Sequence, residues 1–416
     1  MASDEKELVQ KGEARLKWAR DRMKVLGEVR EHLKKKGNLK GVRVGMALHT
    51  EAKTGVLAET IHEAGAEVCL TSCNPLSTDD CVAAALRQSS GIEVHAKRGQ
   101  SQEEYYDSLN RVVDFEPDYV IDDGADLIFL LHTDRKDKLE GVKGANEETT
   151  TGIIRLRAMA QEGVLRFPVM SVNDAMMKHL FDNRYGTGQS TFDGIMSSTN
   201  LLIAGRRLVV AGYGWCGRGI AMRAKGLGAR VTVTEVDPVR AIEASLDGFE
   251  VSPMAEAVEQ ADFIVTATGC KDILRKEHFE RMKSGCVMAN SGHFDNEISK
   301  TDLESISSSV RNARDNVIEY SLAGGKKIFL IAEGRLVNLA AGQGHPVEIM
   351  DMSFALQAMA LGYLLDNHEK LSPDVHPIPT DIDEWVARTA LKGMGLSIDS
   401  LSDDQRGYLC GWRDGT

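Results

Sequence analysis

The chain has 416 residues, of which 42% are apolar, and this size and composition suit a globular protein with two or three domains. Its formal net charge of −12 argues against nucleic acid or an anionic membrane as a partner, because phosphate binding needs clustered lysine and arginine. No apolar run reaches the ~18 residues of a membrane span. The seven cysteines lack zinc-ligand spacing, so no metal is expected.

The amino terminus and the cysteine count bear on the compartment. The opening MASDEKELVQKGE is too acidic and polar for a secretory signal peptide. An odd number of scattered cysteines fits a reducing environment. We therefore expect a cytoplasmic protein.

The first half of the chain alternates helices with strands. Residues 5–36 carry the apolar period of one charged amphipathic helix. Four strands are predicted after it, at Arg43–Leu48, Glu67–Thr71, Tyr119–Ile121 and Val169–Val172. This alternation predicts an open parallel sheet with helices on both faces, which binds ligands at the carboxyl ends of its strands.

A unit of strand, glycine turn, helix and strand begins at residue 208 with LVVAGYGWCGRG. Gly212 permits a tight turn, Gly214 lets a pyrophosphate approach the backbone, and Gly217 lets helix and strand pack closely. The second strand, in RVTVTEVDP, ends at Glu235. A carboxylate there accepts hydrogen bonds from a ribose diol and repels a 2′-phosphate. The unit therefore predicts a site for NAD rather than NADP.

The alternation continues to the end of this second half. Further strands are predicted at Phe263–Ala267, Cys286–Ala289, Val317–Tyr320 and Lys327–Ile331, before a long helix from Val347 to about Asn367. Prolines at 373, 377 and 379 mark a linker before the last helices. The predicted fold class is α/β: two open, doubly wound, Rossmann-like parallel-sheet domains facing a cleft, with a small helical C-terminal segment.

Charged residues cluster where predicted strands end. Asp123 follows one strand, and Glu148 lies in EETTTG after another polar turn. Asp174, Lys178 and Asp182 recur every four residues, so on a helix they would share one face. The commoner outcome of that spacing is a solvent-exposed ladder of ion pairs. The alternative is an ammonium held between carboxylates for acid–base chemistry.

Eight segments together resemble the S-adenosylhomocysteine hydrolase (adenosylhomocysteinase) family, in order along nearly the whole chain. They are LHTEAKT (48–54), TSCNPLSTDD (71–80), EETTTG (147–152), VNDAMMKHLFDNRYG (172–186), VVAGYGWCGRG (209–219), VTEVDP (233–238), GHFDNEI (292–298) and EGRLVNLAAGQGHP (333–346). The resemblance implies a cytoplasmic homo-oligomer, dimer or tetramer, with tightly bound NAD. It also implies reversible hydrolysis of S-adenosyl-L-homocysteine, a small nucleoside thioether, to adenosine and homocysteine through 3′-oxidation, elimination, water addition and re-reduction.

The resemblance also implies a division of labour along the chain. Residues 1–185 and 346–371 would bind the substrate, 186–345 would bind NAD, and 372–416 would serve oligomerisation. Implied catalytic residues are His49, Asp123, Glu148, Lys178, Asp182 and His293. Implied substrate contacts are Glu51, Lys53, Thr54, Cys73, Asn173 and His345. Implied cofactor contacts are Thr149, Thr150, Thr151, Asn183, Gly212, Gly214, Trp215, Cys216, Gly217, Glu235, Thr268, Asn290 and Asn338. For Cys73 the alternative is a small buried hydrophobic residue.

The chain departs from the family pattern in four places. Thr187 replaces a cysteine, and Trp215 stands where an acidic residue is usual. The C-terminal Lys and Tyr that reach a neighbouring subunit's NAD site are not found after RGYLCGWRDGT. Glu51 and Lys53 occupy positions where the family has Thr and then Glu or Gln.

The last departure bears on the purine. Lysine only donates hydrogen bonds, and so does the N6 amino group of adenine. A 6-oxopurine offers O6 to Lys53 and N1–H to Glu51, so S-inosyl-L-homocysteine is an alternative substrate. Otherwise Lys53 pairs with Glu51 or another carboxylate, and backbone groups meet adenine. Two rival functions are a dehydrogenase that releases NADH and an inactive regulatory homologue, but the matching catalytic residues are all present.

Overall fold

A computed structural model describes residues 2–413 of the chain. The predicted single helix over 5–36 is wrong, because two helices occupy it: α1 (Ala2–Arg20) and α2 (Lys24–Lys36). The carboxylate of Asp351 accepts hydrogen bonds from the backbone N–H groups of Val25 (2.9 Å) and Leu26 (2.7 Å). This distant residue satisfies orphan donors that a continuous helix would have used internally. The break therefore depends on a tertiary contact.

Six strands and five helices follow in alternation. The strands are β1 (Arg43–Ala47), β2 (Glu67–Thr71), β3 (Glu93–Val94), β4 (Tyr119–Asp122), β5 (Gly144–Glu147) and β6 (Val169–Ser171). The helices are α3 (Ala52–Glu63), α4 (Asp80–Ser89), α5 (Gln102–Asp114), α6 (Asp126–His132) and α7 (Thr150–Gln161). The four strands predicted from sequence are present within a residue of their bounds. The other two strands, β3 and β5, were not predicted from the sequence.

A connecting segment leads to the second sheet. It comprises α8 (Met176–Lys178), a π-helix over His179–Gly186, and α9 (Thr187–Thr199). The strands that follow are β7 (Arg207–Ala211), β8 (Arg230–Thr234), β9 (Glu250–Val251), β10 (Phe263–Thr266), β11 (Val287–Asn290), β12 (Ser307–Arg314), β13 (Val317–Leu322) and β14 (Lys327–Ile331). The helices among them are α10 (Trp215–Gly226), α11 (Pro238–Leu246), α12 (Met254–Ala257), α13 (Lys276–Arg281), α14 (Lys300–Ser305) and α15 (Val337–Ala340).

The chain then returns to the first sheet. The remaining elements are α16 (Val347–Asn367), β15 (Val375–Pro377), α17 (Thr380–Gly393) and α18 (Asp403–Cys410). Residues 372–377, expected in a separate C-terminal segment, instead include a strand that pairs with β6 in parallel. Leu391 is half-buried, and residues 392–413 are exposed.

The two sheets have the topology of doubly wound folds. The first has the order β15-β6-β5-β4-β1-β2-β3, with every pair parallel. The second has the order β12-β13-β14-β11-β10-β7-β8-β9, in which the pairs β12–β13 and β13–β14 are antiparallel and the other pairs are parallel. The predicted α/β class with two such domains is confirmed. The antiparallel hairpin at one edge was not predicted.

Apolar clusters lie on both faces of each sheet, which explains why the central strands are apolar throughout rather than alternating. Strand order reverses between β1 and β4 in the first sheet and between β7 and β10 in the second. Open α/β sheets bind ligands at such reversals, beyond the carboxyl ends of the strands. No helix within residues 2–413 combines the length and apolarity of a membrane span.

Candidate active site

The carboxyl ends of the two sheets meet at a cavity of about 1020 Å³. Strand register explains which side chains converge there. Ala47 at the end of β1 lies opposite Asp122 at the end of β4, so the residues that follow, including His49 and Asp123, are neighbours. Ala211 of β7 likewise lies opposite Thr266 of β10. Both strand-order reversals therefore open onto the same cavity.

The glycine turn after β7 has the shape that a dinucleotide requires. Gly212 has a φ of +94°, a left-handed conformation that favours glycine. A Cβ on Gly217 would lie 1.9 Å from the carbonyl oxygen of Gly212, so helix and turn touch. A Cβ on Gly214 would meet nothing closer than Arg240 Nη1 at 3.7 Å. The turn therefore leaves an open cradle at the N-terminus of α10, where backbone N–H groups can bind a diphosphate.

Glu235 is fixed at the end of β8. Its Oε2 accepts from the backbone N–H of Tyr213 at 2.7 Å, and its Oε1 accepts from Val236 and Asp237 at 2.7 and 3.1 Å. The carboxylate lines the cavity beside the glycine turn. These residues fit the adenosine and diphosphate portions of NAD, with the carboxylate placed for a ribose diol.

Lys178 lies between two buried carboxylates. Its Nζ is 3.4 Å from Glu148 Oε1, 3.4 Å from Asp182 Oδ1 and 2.8 Å from Asn183 Oδ1. Burial would lower the pKa of Lys178, but Asp182 and Glu148 raise it above its ordinary value. The two carboxylates therefore favour the charged ammonium form of Lys178. The π-helix after Lys178, a form frequent at functional sites, carries Asp182 and Asn183 into the cavity.

The two carboxylates beside Lys178 have different properties. Burial raises the pKa of Glu148 to about 8, and Lys178 offsets only part of this. Burial also opposes ionisation of Asp182, but Lys178, His345 and Ser353 together hold its pKa below the ordinary value. Near neutral pH, Asp182 is charged and Glu148 exchanges a proton readily. Such a difference lets neighbouring acids take separate roles.

The expectation that Asp174 shares this face is wrong. Asp174 is exposed and pairs with Arg157 at 2.7 Å. A short 3₁₀ turn over Val172–Asp174 ends before Ala175, so the segment is not one continuous helix. Of the three charges spaced by four, only Lys178 and Asp182 meet in the cavity.

A second polar cluster surrounds Asp123. Its Oδ2 is 3.4 Å from His49 Nε2 and 3.6 Å from Cys73 Sγ, and its Oδ1 is 3.5 Å from His293 Nδ1. Burial lowers the pKa of His49 to about 4, although Asp123 works against that shift. His49 is therefore a neutral imidazole at pH 7. It can accept a proton or orient a water molecule.

Two further buried carboxylates hold these loops. Glu147 Oε1 accepts from the backbone N–H groups of Gly124 and Thr149, both at 2.8 Å. Asp122 accepts from Asp123 and Ile128 at 2.9 and 2.8 Å. Burial raises the pKa of Asp122 to about 7 and that of Glu147 well above its ordinary value. The loops that carry Asp123 and Glu148 are thus tied together from beneath.

Glu51 and Lys53 lie at another end of the cavity, next to Thr54. Glu51 caps α3 by accepting from the N–H groups of Lys53 and Thr54, and its Oε2 is 2.8 Å from Lys53 Nζ. Lys53 Nζ also donates to the carbonyl of Gln343 at 3.0 Å. An ammonium has three protons, so one donor remains for a ligand. The pairing of Lys53 with Glu51, one of the two alternatives left by the sequence, is present.

His345 connects the two halves of the cavity. Its Nδ1 is 3.1 Å from Asp182 Oδ1, and its Nε2 is 3.3 Å from Thr187 Oγ1. Thr187 Oγ1 in turn lies 3.7 Å from Cys216 Sγ of the glycine turn. The Thr187 hydroxyl therefore links His345 to the glycine turn. Trp215 lies against His179, with ring centroids 5.2 Å apart.

Most residues expected at the site line the cavity. They are His49, Glu51, Lys53, Thr54, Asp123, Glu148, Thr149, Thr150, Thr151, Asn173, Lys178, Asp182, Asn183, Gly212, Gly214, Trp215, Cys216, Glu235, Thr268, His293, Asn338 and His345. Three others do not: Cys73 lies behind His49, Gly217 packs against Gly212, and Asn290 is fully buried. Asn290 Nδ2 donates to the carbonyls of Gly292, Phe294 and Gly334, so its amide holds a loop instead of facing a ligand.

Sequence reasoning missed several lining residues. Among them are Arg240 beside the glycine turn, and Leu339, Met350 and Phe354 elsewhere on the cavity wall. Met350 and Phe354 are four residues apart on α16, but nothing in an apolar helix separates cavity-facing positions from core positions. Arg240 lies on α11, five residues after Glu235 in the sequence. A cation so close to the predicted diphosphate site could have been identified from the sequence.

Comparison with known proteins covers most of the chain. Residues 4–140 match the family model described as S-adenosyl-L-homocysteine hydrolase, and residues 183–344 match that of its NAD binding domain. The S-inosyl-L-homocysteine hydrolase of Methanocaldococcus jannaschii is 59% identical over 409 residues, 98% of each chain. The adenosylhomocysteinase of Archaeoglobus fulgidus is 58% identical over 405 residues, 97% of this chain and 100% of that one.

Similarity to solved structures is weaker. A cofactor (NAD+) bound 3-phosphoglycerate dehydrogenase from Entamoeba histolytica aligns with a TM-score of 0.46 and 14% identity. The alignment covers 79% of this chain and 96% of that one. A likeness at this level carries no argument about chemistry.

Proposed function

Because the chain belongs to the S-adenosyl-L-homocysteine hydrolase family, we propose that it hydrolyses the C5′–S bond of a purine nucleosyl homocysteine with NAD as bound cofactor. The first candidate substrate is S-adenosyl-L-homocysteine, giving adenosine and homocysteine. The observation that carries the proposal is the buried Lys178 ammonium between Glu148 and Asp182, in one cavity with the glycine turn and Glu235. A plain dehydrogenase would not need this second set of acid–base groups around a ribose.

The residues of the second sheet would hold the cofactor. We assign the diphosphate to the N-terminus of α10 and the adenosine ribose to Glu235. Further contacts would come from residues at the cavity wall: Thr149, Thr150, Thr151, Asn183, Thr268 and Asn338. When bound, NAD supplies reversible oxidation of the 3′-hydroxyl, which acidifies the hydrogen at C4′.

Lys178 and Asp182 would act at the 3′-hydroxyl. The ionised Asp182 carboxylate would take the proton of the 3′-hydroxyl, while the Lys178 ammonium, 3.4 Å from Asp182, stabilises the negative charge that develops on the oxygen. Glu148 accepts hydrogen bonds from the ribose hydroxyls. Asn173 completes this part of the site, because its Oδ1 accepts from Asn183 Nδ2 at 3.0 Å. The arrangement excludes bulk water from the ribose, since these groups are buried.

Asp123, His49 and His293 would act at C4′ and C5′. Asp123 would take the C4′ proton and pass it to the departing sulfur, so that homocysteine leaves as a thiol. Water would then add in the reverse sense, with its oxygen bonding to C5′ and a proton returning to C4′ through Asp123. The neutral imidazole of His49 can orient the leaving sulfur and then the water. Cys73 supports His49 through its 3.3 Å contact with Nδ1. His345, which bridges Asp182 and Thr187, would gate the cavity.

S-inosyl-L-homocysteine is a second candidate substrate, favoured by Lys53. Its free donor and the Glu51 carboxylate complement O6 and N1–H of hypoxanthine. Relatives of similar identity carry both names, with S-inosyl-L-homocysteine hydrolase in Methanocaldococcus jannaschii and adenosylhomocysteinase in Archaeoglobus fulgidus. We therefore assign the choice between adenine and hypoxanthine to Glu51 and Lys53.

We also infer that the chain works as a homo-oligomer, a dimer or tetramer, in the cytosol. Residues 394–413 expose an unusual set of apolar side chains: Leu396, Ile398, Leu401, Tyr408, Leu409 and Trp412. Exposed apolar surface of this kind is typical of protein–protein interfaces. Most soluble oligomers are homo-oligomers, so we assign this surface to contact with a second copy of the chain. The seven cysteines are all free, as a reducing compartment requires.

The cofactor assignment predicts what purified protein contains. Denatured protein should release near-stoichiometric NAD plus NADH and no NADP, measured by chromatography. Gly217→Ala should lose most of this dinucleotide, because the new Cβ would lie 1.9 Å from the Gly212 carbonyl oxygen. Gly226→Ala at the end of the same helix is the control, since a Cβ there meets nothing within 4 Å. Protein that carries NADP, or none of either dinucleotide, would contradict the assignment.

The interface assignment predicts the effect of shortening the chain. A chain ending at Gly393 should assemble into fewer subunits, because the exposed apolar side chains that follow are gone. Light scattering measures the mass of the assembly relative to that of the shortened subunit. Deletion of residues 412–416, of which 414–416 lie outside the described residues, should leave NAD retention unchanged. If the chain truncated at Gly393 keeps the same number of subunits as the full chain, the C-terminal segment is not the interface.

A further inference from the structure

Two polar side chains of α16 lie behind the catalytic carboxylates. Ser353 Oγ donates to Asp182 Oδ2 at 2.8 Å, and Gln357 Nε2 donates to Glu148 Oε2. Both side chains are fully buried, and neither lines the cavity. They are four residues apart, so they share one face of the helix. Polar residues buried at this depth need a reason, because each costs desolvation free energy.

Gln357 is held through its backbone as well as through its side chain. Its backbone carbonyl accepts from Asn146 Nδ2 at 2.9 Å, which ties this turn of α16 to β5. Glu148 follows β5 directly, so helix and carboxylate are held in one unit. Gln357 Oε1 and Glu148 Oε1 are both buried without a hydrogen-bond partner. The side-chain amide thus donates to Glu148 through Nε2, and its acceptor atom Oε1 is unused.

We infer that Gln357 is a positioning residue that sets the orientation and the charge state of Glu148 in the proposed reaction. An amide suits this role because rotation about its last torsion exchanges donor and acceptor ends. The Nε2 end serves an ionised carboxylate, and the Oε1 end can accept from a protonated acid. Glu148 then keeps a partner when it gains or loses a proton beside the ribose.

The surroundings of Glu148 explain why one hydrogen bond matters. Burial raises the pKa of this carboxyl to about 8, Lys178 lowers it, Asp182 and Asp123 raise it, and Gln357 lowers it. Both protonation states are therefore populated near neutral pH. A hydrogen bond to a charged group is stronger than one to a neutral group. Loss of the Gln357 donor should then favour the protonated form of Glu148.

The inference rests on the proposed function and is tested with the NAD-loaded enzyme. The measurement is the rate of the fast absorbance rise of bound NADH on mixing with adenosine or inosine, followed across pH. Gln357→Met removes the amide at nearly the same volume. It should move the acidic midpoint of this profile upward by roughly half to one pH unit and lower the plateau rate several-fold. NAD content and Tm serve as readouts of folding.

Met359→Leu on the same helix is the matched control, because Met359 packs in a separate groove with Leu33 and Tyr363. It should leave the midpoint and the rate unchanged. An unshifted midpoint in Gln357→Met, with only a lower plateau, would reduce Gln357 to a packing role and overturn the inference. An equal shift in Met359→Leu would overturn it as well. Failure of the wild-type enzyme to form NADH at any pH would instead contradict the proposed function.

Discussion

Replacing Lys178 with alanine is expected to slow formation of bound NADH by about 10²–10⁴-fold when the NAD-loaded enzyme meets adenosine or inosine. The variant removes the ammonium that lies 3.4 Å from both Glu148 and Asp182. Negative charge developing on the 3′-oxygen then has no cation beside it. Stopped-flow absorbance of the reduced nicotinamide measures this step without waiting for product release.

Folding must be separated from chemistry in this test, because two buried carboxylates lose their counter-charge. Lys178→Gln keeps a hydrogen-bond donor and nearly the same length, so it should retain the fold and NAD while still losing most of the rate. Lys392→Ala is the control, since this lysine is 78% exposed and far from the cavity wall. A wild-type rate of NADH formation in a folded, NAD-loaded Lys178 variant would show that Lys178 has no part in the oxidation.

The second large effect concerns the purine. If Lys53 and Glu51 both reach its edge, kcat/KM for S-inosyl-L-homocysteine should exceed that for S-adenosyl-L-homocysteine by about ten- to a hundredfold, or roughly 1–3 kcal/mol. Adenine would leave the buried Lys53 ammonium facing the N6 amino group, which is also a donor. Lys53→Gln should narrow the gap, because a glutamine amide can rotate to donate or accept. Homocysteine release from each nucleoside thioether gives the ratio.

Glu51 needs separate treatment, because its carboxylate also caps α3. Glu51→Gln keeps an oxygen for the cap while removing the charge that holds Lys53, so it is the better companion variant. Lys40→Gln, an exposed position, should leave the ratio as in the wild type. A wild-type ratio below one that Lys53→Gln does not change would make the adenosyl compound the substrate and assign Lys53 to its pairing with Glu51.

The sequence predicted the parts of the fold that local patterns encode. The central strands and α16 have strong apolar character, and the glycine turn has a spacing that few other structures need. The break between α1 and α2 escaped prediction because the buried Asp351, more than 300 residues away, makes it favourable. The edge hairpin escaped it because β12 is largely exposed and polar.

The candidate site was predictable to the extent that motifs carry it. The spacing of four residues correctly predicted that Lys178 and Asp182 lie together. It failed for Asp174, because this residue lies in a 3₁₀ turn that precedes the helix carrying Lys178. Gln357 and Ser353 gave no signal, because a polar residue in an apolar helix does not reveal what it faces. Their contacts with Glu148 and Asp182 exist only once α16 returns to the first sheet.

Hydrolysis of a nucleosyl homocysteine with transient oxidation at C3′ leaves an isotopic trace in heavy water, because the C4′ proton exchanges with solvent. The NAD-loaded enzyme is incubated with S-adenosyl- or S-inosyl-L-homocysteine in D₂O, and the products are analysed by mass spectrometry and NMR. We expect free homocysteine, a nucleoside carrying deuterium at C4′, and no NADH released to solution. Release of homocysteine together with a nucleoside that lacks deuterium at C4′ would contradict this mechanism. Accumulation of free NADH in step with turnover would contradict it as well.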